Sequence, residues 1–175
     1  MSRWHNAVIL CLVIARTAFA LPPTWCGANE AVPAQRVFAQ IHGTDPWQEY
    51  KSIKAVPELE PDGGTTAQLW VGTGHTQLVR VVEPSEDFWI YTEYCFDRKG
   101  DLAKIRFEVR TGWDWGYKTE SAVVNGVPVK AKQTFFNTKT QKPIPRPNGT
   151  NDIPDALHPT IARTTKDLPF ASLLR

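Results

Sequence analysis

From Thr66 onward the sequence adopts a period of two, and this constrains the fold more than any other feature of its 175 residues. Residues 67–71, 77–82, 88–96, 102–111, 117–124 and 127–136 are each rich in β-branched and aromatic side chains, which suit a pleated, half-buried surface. Turn signals separate them. Asn125-Gly126 lies between two Val-rich runs, a strong short-range hairpin signal. Asp97-Arg98-Lys99-Gly100 fits a type I turn with Gly100 at the left-handed bulge position. Parallel pairing would need crossovers of a dozen residues or more, so the expectation is an antiparallel β-meander of five to seven strands.

The Asp97–Gly100 hairpin allows a register to be written. If Asp97 pairs with Asp101, then Cys95 faces Ala103, Glu93 faces Ile105, Tyr91 faces Phe107 and Trp89 faces Val109. These residues share one face, apolar except for Glu93. The opposite face pairs Phe88, Ile90, Thr92 and Tyr94 with Arg110, Glu108, Arg106 and Lys104, a solvated surface with aromatic stems. A slip of one residue would exchange the two faces of residues 88–96. In this register the Glu93 carboxylate sits among apolar neighbours, where an ionised acid is costly unless paired. Arg36 is the cation expected to pair with it.

Ahead of the meander, residues 34–42 read as a helix. Pro33 suits a first turn, Val37, Phe38 and Ile41 form an apolar face, and Gly43 stops the run. Residues 44–64 are irregular, punctuated by Asp45-Pro46, Pro57, Pro61 and Asp62-Gly63-Gly64. Beyond Asn137 the pattern ends, and residues 141–160 form an extended Pro-rich segment with polyproline II character. Residues 167–174 predict a short terminal helix with Asp167 as cap and Phe170, Leu173 and Leu174 as docking face.

The expected fold class is therefore α+β: an N-terminal helix packed on a curved antiparallel meander, with an irregular C-terminal wrap. Cups of the cystatin or nuclear-transport-factor type are similar in order of elements, an analogy of fold without a shared motif. A small β-barrel is the alternative.

The N-terminus reads as an export signal. Arg3 supplies the basic region, residues 7–15 an apolar run, and Ala18-Phe19-Ala20 the small residues of a cleavage site after Ala20. Nine apolar residues fall short of the roughly 20 that span a bilayer. Neither Cys11 nor Cys26 follows the small residues of a lipoprotein site. The expected product is one exported domain, residues 21–175, in the periplasm or outside the cell. Arg3 and Arg16 leave with the signal, so 20 basic residues become 18 against 18 acidic ones. A near-neutral protein gives no ground for nucleic-acid binding. The charge is uneven, with four basic and eleven acidic residues in 21–97 against fourteen and seven in 98–175. Two halves of one fold that attract each other account for this. Cys26 and Cys95 remain and are expected to pair, as cysteines of exported proteins do.

Signatures of catalysis are few. Nucleophile elbows, phosphate loops, dinucleotide fingerprints and zinc-protease motifs are all missing from the sequence. Gly72-Thr73-Gly74-His75 reads as a hairpin turn, and His42 as a residue at a helix C-terminus. Asp152, Asp155 and His158 are spaced by threes in a Pro-flanked turn, which suits a solvated loop better than a metal site. Asn148-Gly149-Thr150 matches a glycosylation sequon. Trp113-Asp114-Trp115 is the densest aromatic feature; in an extended segment the two indoles would share a side and form a platform. Trp89 and Tyr91, with Trp113 and Trp115, are the candidate binding residues. The favoured reading is a non-catalytic binding or interaction domain without cofactor, serving a small apolar or sugar-like ligand or another exported protein. The alternative is a small exported hydrolase or isomerase with Glu93 as acid/base in the cup of the sheet.

Overall fold

The structure is a computed structural model that describes residues 25–61, 63–129, 132–148 and 160–175. The signal segment and the Asp152-Asp155-His158 turn lie outside these residues, as do Gly149 and Thr150 of the sequon. Among the described residues nine strands form one antiparallel sheet: β1 (Arg36–Gln40), β2 (Gln48–Tyr50), β3 (Thr65–Val71), β4 (Gln77–Pro84), β5 (Phe88–Phe96), β6 (Leu102–Thr111), β7 (Trp115–Val124), β8 (Val127–Pro128) and β9 (Lys132–Asn137). The spatial order is β2-β1-β3-β4-β5-β6-β7, with both β8 and β9 pairing β7. The first five period-two segments fold as the meander expected of them, whereas the sixth, 127–136, is divided between β8 and β9, both beside β7.

The α+β expectation is overturned. Among the described residues no helix reaches seven residues, and the helical pieces are 3₁₀ turns of three or four. Residues 34–42 contain strand β1, which pairs β2 on one side and β3 on the other. Val37, Phe38 and Ala39 are buried in succession. A short apolar run covered on both faces has the same pattern as a buried helix. A nine-residue helix is marginal alone, whereas the strand gains a ladder on each side. Sheet pairing runs from β2 to β9 as an open path among the described residues, not as a barrel. His42 accordingly stands in a turn, where it meets Asp45 at 2.6 Å.

The hairpin register also differs from the expectation, and the difference decides what each face presents. The turn forms as read: the Asp97 amide donates to the Asp101 carbonyl at 2.9 Å, and Gly100 adopts a φ of 85°. One residue later a β-bulge intervenes. Phe96 pairs Leu102 but Cys95 pairs Lys104, leaving Ala103 over. Beyond it Glu93 faces Arg106, Tyr91 faces Glu108 and Trp89 faces Arg110. The faces of β5 are exchanged relative to the expected register.

One face, the inner, therefore carries Phe38, Ala67, Leu69, Val79, Val81, Tyr94, Phe96 and Ile105. The C-terminal segment covers it: Phe170 is fully buried and stacks on Phe38 with ring centres 4.7 Å apart. That segment is not the expected helix but two 3₁₀ turns, Thr165–Asp167 and Ala171–Leu174. Thr164 is the cap of the first, with Asp167 completing its capping box. Further along the same face Phe107, Val109, Tyr117 and Phe135 form a second cluster with Ile144 against it. Burial pushes the Tyr117 hydroxyl up to about 12.

Candidate functional site

The outer face is built from the other half of each strand's alternation. Gln68, Arg80, Glu93, Arg106 and Glu120 are direct partners across five strands, β3 to β7. Opposite charges therefore alternate along one row. Glu93 is its centre and is 6% exposed. One carboxylate oxygen accepts from Arg80 Nε at 2.7 Å, and the other accepts from Arg106 at 2.9 Å. Arg80 also meets Glu30, and Arg106 reaches Glu120 at 3.4 Å. Burial pulls the Arg80 pKa down, but Glu93 and Glu30 outweigh it and the net shift is upward. Glu93 is thus paired as expected, but with Arg80 and Arg106 in place of Arg36. Arg36 instead binds Glu49 at 2.8 Å and the Leu173 carbonyl.

Segment 25–34 is fastened alongside this row, meeting Arg80 through Glu30 and Arg106 through Trp25. Cys26 and Cys95 are joined by a disulfide, with Cα atoms 5.4 Å apart. The Thr76 hydroxyl donates to the Cys26 carbonyl at 2.7 Å and the Trp70 indole to the Val32 carbonyl at 3.0 Å. Each arginine of the row also lies on an aromatic ring, Arg80 on Trp70 at 5.3 Å and Arg106 on Trp25 at 4.5 Å. Such stacking leaves the guanidinium edge free for carboxylates.

Beyond the row the face opens. A half-open cleft of about 360 Å³ is lined by Arg80, Tyr91, Glu93, Arg106, Glu108 and Arg110. A second hollow of about 340 Å³ shares Arg106 and Glu108 and extends to Lys118, Glu120 and Thr134. Arg110 donates from Nε to Glu108 at 2.6 Å, with its guanidinium 4.9 Å above the Tyr91 ring. Trp89, directly across from Arg110 on β5, is 42% exposed. Hence two of the sequence-derived candidates, Tyr91 and Trp89, stand in and beside the cleft.

The tryptophans of the β6–β7 turn part company. Asp114 between them has a φ of 64°, so the segment is a turn and not the extended chain a shared platform requires. Trp113 is 63% exposed, while Trp115 packs on the inner face 6.2 Å from Phe135. Trp113→Ala is expected to change stability by less than about 0.5 kcal/mol, as exposed substitutions do. Trp115→Ala should cost about 2 kcal/mol, below the usual range for a fully buried tryptophan. Urea melts of the two single variants check this; equal losses would contradict the placement.

Sequence pattern alone does not mark Arg80, Arg106, Glu108 and Arg110 as site residues, although the alternation Lys104-Arg106-Glu108-Arg110 announces a charged face. Nothing local in the sequence tells a solvated stripe from the wall of a cleft. Among the described residues no three His, Cys, Asp or Glu side chains gather as a metal site would need. No protein-family model matches the chain, and neither a curated protein nor a solved structure is significantly similar to it.

Proposed function

We propose that the chain is an exported, non-catalytic binding domain whose binding surface is the open charged face of the sheet. One observation carries this reading: a cleft of small-molecule size whose polar walls are already held in place by ion pairs and aromatic rings. Pre-formed concave sites with a few convergent polar groups are where small ligands bind. Fixed side chains also spare the ligand the entropy of ordering them. The leader sequence and the Cys26–Cys95 bridge support export. Polar walls beside an exposed indole suit a sugar-like ligand better than an apolar one. The hydrolase or isomerase reading asks more of Glu93, because an acid/base role would require an oxygen to leave Arg80 or Arg106.

Backbone amide NMR of the disulfide-bonded protein, titrated with mono- and disaccharides, tests the proposal. Expected are saturable shifts confined to residues 89–93 and 106–110, without chemical change in the sugar. Shifts clustered elsewhere, or turnover of the sugar, would overturn it.

A further inference from the structure

Resting on that reading, we propose that the cleft selects a saccharide bearing a single carboxylate, a uronic acid, with Arg110 holding the carboxylate and Trp89 receiving the sugar ring. The observation behind it is how the guanidinium donors are shared out. Arg80 is engaged by Glu93 and Glu30, and Arg106 by Glu93 and Glu120. Among the described residues Arg110 bonds only Glu108, and only through Nε. The Arg110 side chain lines the cleft and is 41% exposed, and its terminal nitrogens have donors to spare among the described residues. The Glu108 bond and the Tyr91 ring beneath hold the guanidinium in one orientation. A planar fork fixed in this way matches a carboxylate bidentately.

The same sharing narrows the class further. Glu30, Glu93 and Glu120 take up Arg80 and Arg106, so the guanidinium with spare donors has room for one carboxylate. A second negative charge on the ligand would lie against Glu108. The exposed Trp89 indole lies directly across the ladder from Arg110. An indole there offers a flat apolar surface to the C–H face of a pyranose. A cleft of about 360 Å³ lies at the small end of ligand sites, which suits a mono- or disaccharide.

Calorimetric titration of the full disulfide-bonded chain with galacturonic acid and with its neutral methyl ester tests the inference. The acid should bind about tenfold or more tighter than the ester, the worth of one charge-assisted bidentate contact. The gap should narrow as salt screens it. Arg110→Gln should bring the affinity for the acid down to that for the ester while leaving the ester unchanged. Arg110→Lys, which keeps the charge without the fork, should fall between them. Trp89→Ala should weaken both sugars, and Arg163→Gln, an exposed arginine outside the cleft lining, should alter neither. Thermal melts of each variant separate lost binding from lost folding. Equal affinity for acid and ester, or a preference for the acid that survives Arg110→Gln, would overturn the inference while the binding reading stands. Binding of an acidic hexapeptide with no binding of either sugar would do the same and make the face a protein-docking surface. Silence of all three ligands at millimolar concentration would sink both.

Discussion

Replacing Cys26 and Cys95 together with alanine should lower the unfolding free energy by roughly 4 kcal/mol, the largest single effect expected in this protein. The bridge spans 69 positions, and in the chain-entropy model a loop of that length restrains the unfolded chain by roughly 4 kcal/mol, a figure that native-state relaxation reduces. For a domain of this size the melting temperature should fall by about 10 °C. The loss should be largest around segment 25–34, because Cys26, Ala28, Trp70, Leu78 and Cys95 form their own buried cluster. Hydrogen exchange would show it as early opening of segment 25–34 and of the facing ends of β3 and β4. Thermal melts with and without reductant supply the magnitude. If two free thiols are alkylated in the unreduced, folded protein, the bridge does not form and the expectation fails.

Glu93→Gln should cost about 2–3 kcal/mol. Removing one partner of a fully buried ion pair costs about 3–5 kcal/mol, because the remaining charge stays desolvated. Here the cost is smaller. The Arg80 and Arg106 side chains keep 26% and 29% exposure and retain Glu30 and Glu120. The amide preserves shape and one acceptor but leaves two guanidiniums side by side without the negative charge between them. A double-mutant cycle with Arg80→Gln isolates the coupling: the second substitution should cost much less in the Glu93→Gln background than alone. Urea denaturation at neutral pH reads all four corners. A Glu93→Gln protein as stable as its parent would mean that the row is electrostatic decoration and that the cleft wall is not held by it.

Sequence patterns disclosed the meander, its hairpin turns and the disulfide because each has a local chemical cause. Asn125-Gly126 favours one kind of turn wherever it lies, and two cysteines left in a chain expected to be exported have one another. What stayed hidden depends on distance. Residues 36–40 take the strand state because β3, some thirty positions away, offers them a ladder; in isolation Val37, Phe38 and Ile41 suit a helix equally well. The bulge at Ala103 is invisible for a different reason. Leu102, Ala103 and Ile105 are all apolar, and either Ala103 or its neighbour is able to take the inner face. That ambiguity of one residue moved Glu93 from an apolar setting to the middle of a charged row. Tyr91 and Trp89 were legible as candidate binding residues, but on a face read as apolar, because Arg106 and Arg110 come from a strand whose register the bulge sets.

Phe170 against Phe38, and the Arg36 side chain on the Leu173 carbonyl 137 positions away, impose an order on folding. The strands from β3 to β7 pair with sequence neighbours and form early, since short loops cost little entropy to close. Their inner face stays uncovered until segment 160–175 returns across it. Between those events the chain is a two-layer protein with only one layer in place, showing Phe38, Val79, Val81 and Phe96 to any other chain nearby. Fragments ending before Ala162 would be caught in that condition, prone to seek the missing layer in a second molecule.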